Sequence, residues 1–321
     1  DCDGGLCQDP GNGQGAYSSY SVCQAACTQC GVLTYVPDPV FEQRLITWGF
    51  DSGPIDGQVD TANITAPNAN FQFGGAGGWL RLNSPSSGPY INDTTGLDCF
   101  DNIEKIMIQR NQITSLDFSV HPLLQRIGFG NNPLTSVDAS NLPDLIELRG
   151  GGPAPGVNPW VNLPTVNTTN SVSLKQFWIV ENGITSLDLS TNTALEDLKV
   201  SYNPLTTLNL TQNIALKFFS AYGSAFTTLN FSNNVALEQA HFDNSLSLTT
   251  LDFSNNPNMY VVDVRECPNL IYLDLANGDT QGIQNLNTTT IPPQSPNNLV
   301  IKVDVGFDPN NPPTQWSLNP N

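Results

Sequence analysis

Histidine is almost missing from this sequence: only His121 and His241 occur among 321 residues, far apart along the chain. No H-E-x-x-H, G-x-S-x-G or phosphate-loop signature is present, and Gly11-Asn12-Gly13-Gln14-Gly15 has no strand before it. Carboxylate pairs are plentiful but arise by repetition, so none is specific. The sequence therefore reads as non-enzymatic. Positive charge is scarce as well. Eleven Lys and Arg stand against 29 Asp and Glu, a net charge of −18, which excludes nucleic acid and anionic lipid as general partners. No apolar run approaches the roughly 18 residues that a membrane-spanning helix needs, so no membrane insertion is expected.

What fills the space is turn chemistry and cysteine. Gly, Pro, Asn, Ser and Thr are abundant, and charged residues make up only 12%. Five of the seven cysteines (Cys2, Cys7, Cys23, Cys27 and Cys30) crowd the first thirty residues, a segment too short to build a core without covalent staples. Disulfides in an oxidising compartment are the expectation, nested as Cys2–Cys27 and Cys7–Cys23, which leaves Cys30 to reach Cys99. Zinc is the alternative, because Cys27-Thr28-Gln29-Cys30 has ligand spacing, but no matching pair or nearby His completes it. Asp1 opens directly into this stretch with no signal peptide before it, and the end from Asn310 to Asn321 reads as linker, so an excerpt of a longer chain is expected.

An internal period sets the architecture. The leading apolar residue of L-x-x-L-x-[LVIF]-x-x-N-x-L recurs at Ile103, Leu124, Leu145, Leu174, Leu195, Leu216, Leu237 and Met259. The interval is 21 residues, except 29 after Leu145 and 22 after Leu237, and a degenerate ninth turn starts near Ile283. The pattern is that of leucine-rich repeats. It predicts a repeat solenoid of about 8–9 coils with few helices, whose parallel strands stack at about 4.8 Å on one face. Each coil has an apolar side that only its neighbours cover. Leu198, Val200, Leu205, Leu208 and Leu210 are expected inside. The Asn column at Asn111, Asn132, Asn182 and Asn203 sits where each coil leaves its strand, and an amide there satisfies backbone groups in the turn. Cys267 shares that column and reads as a buried structural thiol. The long interval, with Gly150-Gly151-Gly152-Pro153-Ala154-Pro155-Gly156, must bulge outward, either as decoration or as a functional loop.

Asp38 and Pro39 mark the start of an amphipathic helix with Phe41, Leu45 and Trp48 on one side, and Leu299–Val305 alternates as a final strand. The boundaries are then 1–31 for a disulfide-stapled module, 32–102 for the N-terminal cap, 103–291 for the repeats and 292–321 for a C-terminal cap strand and linker. The segment V-P-D-x-x-F-E-Q-x-L-I, followed by Asp51-Ser52-Gly53-Pro54-Ile55-Asp56-Gly57 and Thr61-Ala62-Asn63-Ile64-Thr65, resembles the N-terminal cap of secreted leucine-rich-repeat surface proteins of Bacteroidetes type. The L-T-S-L-D-L-S-x-N-x-A-L repeats and the small cysteine-rich opening are similar to that group too. The resemblance implies export to the cell surface or medium and a role in adhesion or display.

Eight of the eleven cations fall in the strand-and-turn segments, and exposed aromatics join them. Arg126, Arg149, Trp178, Lys199, Phe218, Tyr222, His241 and Arg265 are the candidate ligand-binding residues of the strand face. Such a basic, aromatic strip on an acidic molecule suits an extracellular anionic glycan or an acidic protein surface. Alternatively, the acids in the same columns (Glu104, Glu147, Asp197, Glu238 and Asp263) simply pair with the cations. A second reading of function makes the chain a structural spacer or filament subunit of a larger surface fibre, with other copies or modules as partners. Three polar columns on the other side, such as Ser115/Asp117/Ser119, suit a flat lattice or hydrogen bonding between coils. No cofactor is expected; structural Ca²⁺ at the Asp column or at Asp51, Asp56 and Asp60 stays open, although none has loop spacing.

Overall fold

The computed structural model describes residues 2–3, 6–7, 30, 32–65, 79–152, 163–288 and 299–305. Every leading apolar residue from Ile103 to Met259 is buried, and Ile283 opens a ninth coil. Successive coils lay their short strands side by side in a ten-stranded parallel sheet running from Leu80–Arg81 to Asn285–Asn287. The register never slips: Phe177 stands opposite Leu148 on one side and Leu198 on the other, and Leu198 opposite Phe219. The fold is a leucine-rich-repeat solenoid. The sheet starts one rung before the repeats, because Leu80–Arg81 pairs with Lys105–Met107 and buries Leu80 and Leu82 inward as a repeat strand does.

Among the described residues, the strands of the opposite side of the solenoid lie towards its two ends. Ser115–Asp117 pairs with Ser136–Asp138, while Thr250–Asp252, Tyr272–Asp274 and Val300–Lys302 form a second group. The C-terminal strand foreseen over Leu299–Val305 is thus three residues long and lies on this far side. Between the two groups the far wall is looser, so Leu208 is only partly buried, as is Leu187. Leu208 is corrected from core to margin, whereas Leu198, Val200, Leu205 and Leu210 are fully inside. The middle is filled by phenylalanine. Phe219 and Phe242 from the main strands meet Phe231 from the far side at ring separations of 5.3 and 6.2 Å, and Phe231 stacks on Phe253 at 5.6 Å. Aromatic pairs at such separations add to plain area burial.

Two buried polar columns tie the coils together. In the first, Asn203 donates from Nδ2 to the carbonyls of Ile179 (2.7 Å) and Val200 (3.0 Å), and its Oδ1 accepts from the amides of Asn182 and Ile184. The amide therefore joins two coils as well as closing its own turn. Ser224 and Ser245 continue the column, and Cys267 donates from Sγ to the Phe242 carbonyl at 3.2 Å. Burial pushes the Cys267 thiol up to about 12, which makes it a structural donor. The second column, unread in the sequence, is Asn192, Asn213, Asn234, Asn256 and Asn277, each donating to carbonyls of the preceding coil. His121 occupies the matching place on the first coil, with its ring beside the Phe100 carbonyl.

The residue just before the first column is left-handed in coil after coil. Arg110, Asn131, Gly152, Glu181, Tyr202, Gly223, Asn244 and Glu266 all have φ between 54° and 82°. Only Gly and Asn take that conformation readily, and for other L-residues it costs roughly 1–2 kcal/mol each. The stacked turns on both sides hold Arg110, Glu181, Tyr202 and Glu266 there.

The first coil is closed by the helix Pro39–Thr47. Asp38 caps it, accepting from the amides of Val40 and Phe41 at 2.9 Å with Oδ1, and its Oδ2 takes the amides of Asn92 and Asp93. Glu42 is fully buried, its carboxylate bonded by the amides of Asp56 and Gly57. Phe41 stacks on Phe100 at 6.3 Å. Cys30 is joined to Cys99 by a disulfide that spans 69 residues and ties the chain just before Leu33–Tyr35 to the turn Leu97–Cys99. Its engagement removes Cys30 as a zinc ligand. The pairing of Cys2, Cys7, Cys23 and Cys27 lies outside the described residues, as do 153–162 of the insertion; the backbone of Cys2–Asp3 pairs antiparallel with Leu6–Cys7.

Leu198→Ala is expected to lower the unfolding free energy by about 2–5 kcal/mol, read from the denaturant midpoint, because the neighbouring coils cannot collapse into the space. His121 supplies a pH test. Burial is the main influence and lowers its pKa, against the raising pull of the Phe100 carbonyl and of Asp98, Asp101 and Asp117. The unfolded chain therefore binds the proton first, and stability is lost as pH falls through about 6.5, with a slope from this one group of at most about 1.4 kcal/mol per pH unit. His121→Asn, which places the column's own residue there, should lose less stability than the wild type between pH 7.5 and 5.5. An equal loss would contradict the assignment.

Candidate binding face

Because the register is strict, outward residues of the main strands form straight columns. Arg149, Trp178 and Lys199 occupy consecutive rungs of one column, followed by Ser220, His241 and Asp263. Their side chains lean on one another. The Arg149 guanidinium lies 3.7 Å from the centroid of the Trp178 ring, and Lys199 Nζ lies 3.8 Å from it, so the indole is held between two cations. Lys199 also sits 5.0 Å from the Phe218 ring. Phe218 and His241 follow at 5.1 Å, and Tyr222 meets His241 edge-on at 5.9 Å. All eight candidate residues thus lie on one face, with Arg126 and Arg265 at its two ends.

The cations are not free. Arg149 pairs with Glu147 at 2.7 Å, and Arg126 reaches the same carboxylate at 3.7 Å. Lys199 stands 3.9 Å from Asp197. Arg265 grips Asp263 through two bonds of 2.9 and 2.8 Å and touches Asp243 at 3.1 Å. In the adjoining column Glu196 is bracketed by Lys175 at 3.0 Å and Lys217 at 2.9 Å, which hold its carboxyl below the usual range. The strip is therefore charge-balanced and centred on aromatics, not the positive field expected of a site for a polyanion. Glu147, Asp197 and Asp263 do serve as partners, as the alternative reading of the columns required; Glu196 and Asp243 are partners that the sequence did not single out.

The two half-buried aspartates of the face differ. Burial raises Asp197, and Lys199, Trp178 and Arg149 only partly offset it; the Trp178 indole N–H faces this carboxylate without closing a well-aligned bond. Burial also pushes Asp263 up, but His241 and Arg265 outweigh it and hold it below the ordinary value. His241 Nδ1 is 3.9 Å from Asp263, an ion pair only when the imidazole is protonated.

On the far side, the polar columns are mostly spent within their own coils. Asp117, Asp138, Asp188, Asn209, Asn230 and Asp252 each accept the amide two residues on, at 2.8 to 3.1 Å. These are Asx turns. Asp51, Asp56 and Asp60 bond backbone amides in the same way, and among the described residues no group of three or more metal-ligating side chains comes together.

No protein-family model and no curated protein matches the chain. Similar solved structures include the internalin InlF of Listeria monocytogenes, with 17% identity over 85% of this chain and 97% of that one and a TM-score of 0.39. The leucine-rich-repeat protein LIC12759 of Leptospira interrogans has 15% identity over 61% and 64%, with a TM-score of 0.43. The leucine-rich-repeat domain of the type III effector XopL has 16% identity over 83% and 88%, with a TM-score of 0.45. Likenesses this distant do not bear on what the chain binds; the fold rests on its own strand register.

Proposed function

We propose that this chain is a non-enzymatic recognition module of an exported surface protein, holding a protein partner against the strand face. The observation that carries the reading is the unbroken run Arg149–Trp178–Lys199–Phe218–His241–Tyr222, an aromatic and cationic centre ringed by ion pairs. Binding energy at protein interfaces concentrates in such Trp, Tyr and Arg centres, while charges at the rim guide orientation. A polyanionic glycan would have to displace the carboxylates already bound to these cations, so a protein surface of mixed charge is the better complement. Export is supported by the Cys30–Cys99 disulfide, since such bonds persist in oxidising compartments. Against catalysis stands the separation of His121, buried in the first coil, from His241 on the strand face.

The test replaces the centre of the face. A Trp178→Ala, Lys199→Ala, Phe218→Ala variant should keep its far-ultraviolet spectrum and lose at least tenfold in affinity for extracellular proteins that the immobilised wild type retains, about 1.4 kcal/mol or more. Equal affinity in both proteins would remove this face from consideration.

A further inference from the structure

A groove of about 790 Å³ runs along the flank of the solenoid, beside the left-handed turns of the fourth to seventh coils. We propose that it is a second binding site, for an uncharged glycan chain, with Tyr202 as the platform on which a sugar ring stacks. The site is separate from the strand face, and neither reading depends on the other.

The platform comes from one break in the turn column. Gly223 follows Tyr202 in that column, and a Cβ there would stand 2.6 Å from Tyr202 Cδ1. The missing side chain lets the ring of Tyr202 lie over the next coil with a relative exposure of 40%. Beside it, the column that follows the buried amides supplies the floor: Gly183, Pro204, Ala225 and Leu246, small or apolar in four successive coils. At a strand spacing of about 4.8 Å the floor extends about 14 Å, and its volume falls within the roughly 300–1,000 Å³ of small-molecule sites.

Three observations select the ligand. Among the described residues no Asp, Glu, Lys, Arg or His lines the groove, although the chain carries a net charge of −18. An anion would meet the field of the acidic surface without a cation to receive it. The Asn244 side-chain amide and the Ser247 hydroxyl line the groove and have no partner among the described residues, leaving a donor–acceptor pair and a hydroxyl for sugar hydroxyls. A peptide adding itself as a strand finds no open edge, because the turn amides are already used: Tyr202 donates to Tyr222, Gly223 to Asp243 and Asn244 to Arg265. An aromatic face, a smooth apolar floor and neutral hydrogen-bonding groups match the alternating C–H faces and hydroxyl rims of a neutral pyranose chain.

The test is affinity electrophoresis of the full chain in native gels containing xylan, mannan, laminarin or hydroxyethyl cellulose, with polygalacturonate as the anionic arm. At least one neutral polysaccharide should retard the wild type. Tyr202→Asn, using the residue found at positive φ at positions 131 and 244, should weaken that binding at least tenfold. Leu246→Glu, at a position whose side chain is 57% exposed, should do the same while keeping the wild-type far-ultraviolet spectrum. Tyr202→Phe should stay within threefold of the wild type, and the strand-face triple variant should bind as the wild type does. Four results would overturn the proposal: no retardation by any neutral polysaccharide (with or without retardation by polygalacturonate), undiminished binding by Tyr202→Asn, undiminished binding by Leu246→Glu, or loss of binding in the strand-face variant.

Discussion

Asn203 makes bonds in two directions at once. Its Nδ2 holds carbonyls of its own strand and of the preceding coil, and its Oδ1 holds amides of that preceding coil. An amide side chain buried in this way cannot be released cheaply, because each orphaned backbone group costs about 1–3 kcal/mol. Repeated at Asn111 and Asn132, and mirrored by the second column from Asn192 to Asn277, these bonds fix how far apart and in what register neighbouring coils sit. Hydrophobic burial drives the coils together, but it is tolerant of sliding. The amides are not.

Fixed register is what turns sequence periodicity into surface. Trp178 sits between Arg149 and Lys199 only because their strands align rung for rung. The same alignment puts Glu196 between Lys175 and Lys217. On the flank, a single Gly in the turn column decides where Tyr202 can lie. Both candidate sites are thus consequences of one constraint, expressed at two places around the coil.

Much of this was legible in the residues. The recurrence of Ile103, Leu124 and their successors fixed coil number and strand direction, and Asp38-Pro39 located the capping helix. The candidate face was legible as a set of outward columns. Its electrostatics were not, because a column position does not say which carboxylate a long Arg or Lys will reach. The left-handed turns leave no mark in the sequence because Arg110, Glu181, Tyr202 and Glu266 have no intrinsic preference for that conformation; tertiary stacking imposes it. Leu208 lies at the margin for a related reason, since an apolar consensus position is only as buried as the far wall opposite it.

The most direct test of this account is native-state hydrogen exchange on Asn203→Ala. If the amide ladder sets the register, protection should fall first and furthest at the amides of Asn182 and Ile184, with losses in the fourth and fifth coils that fade towards both caps. Protection retained at those two amides, or lost evenly along the whole solenoid, would contradict it.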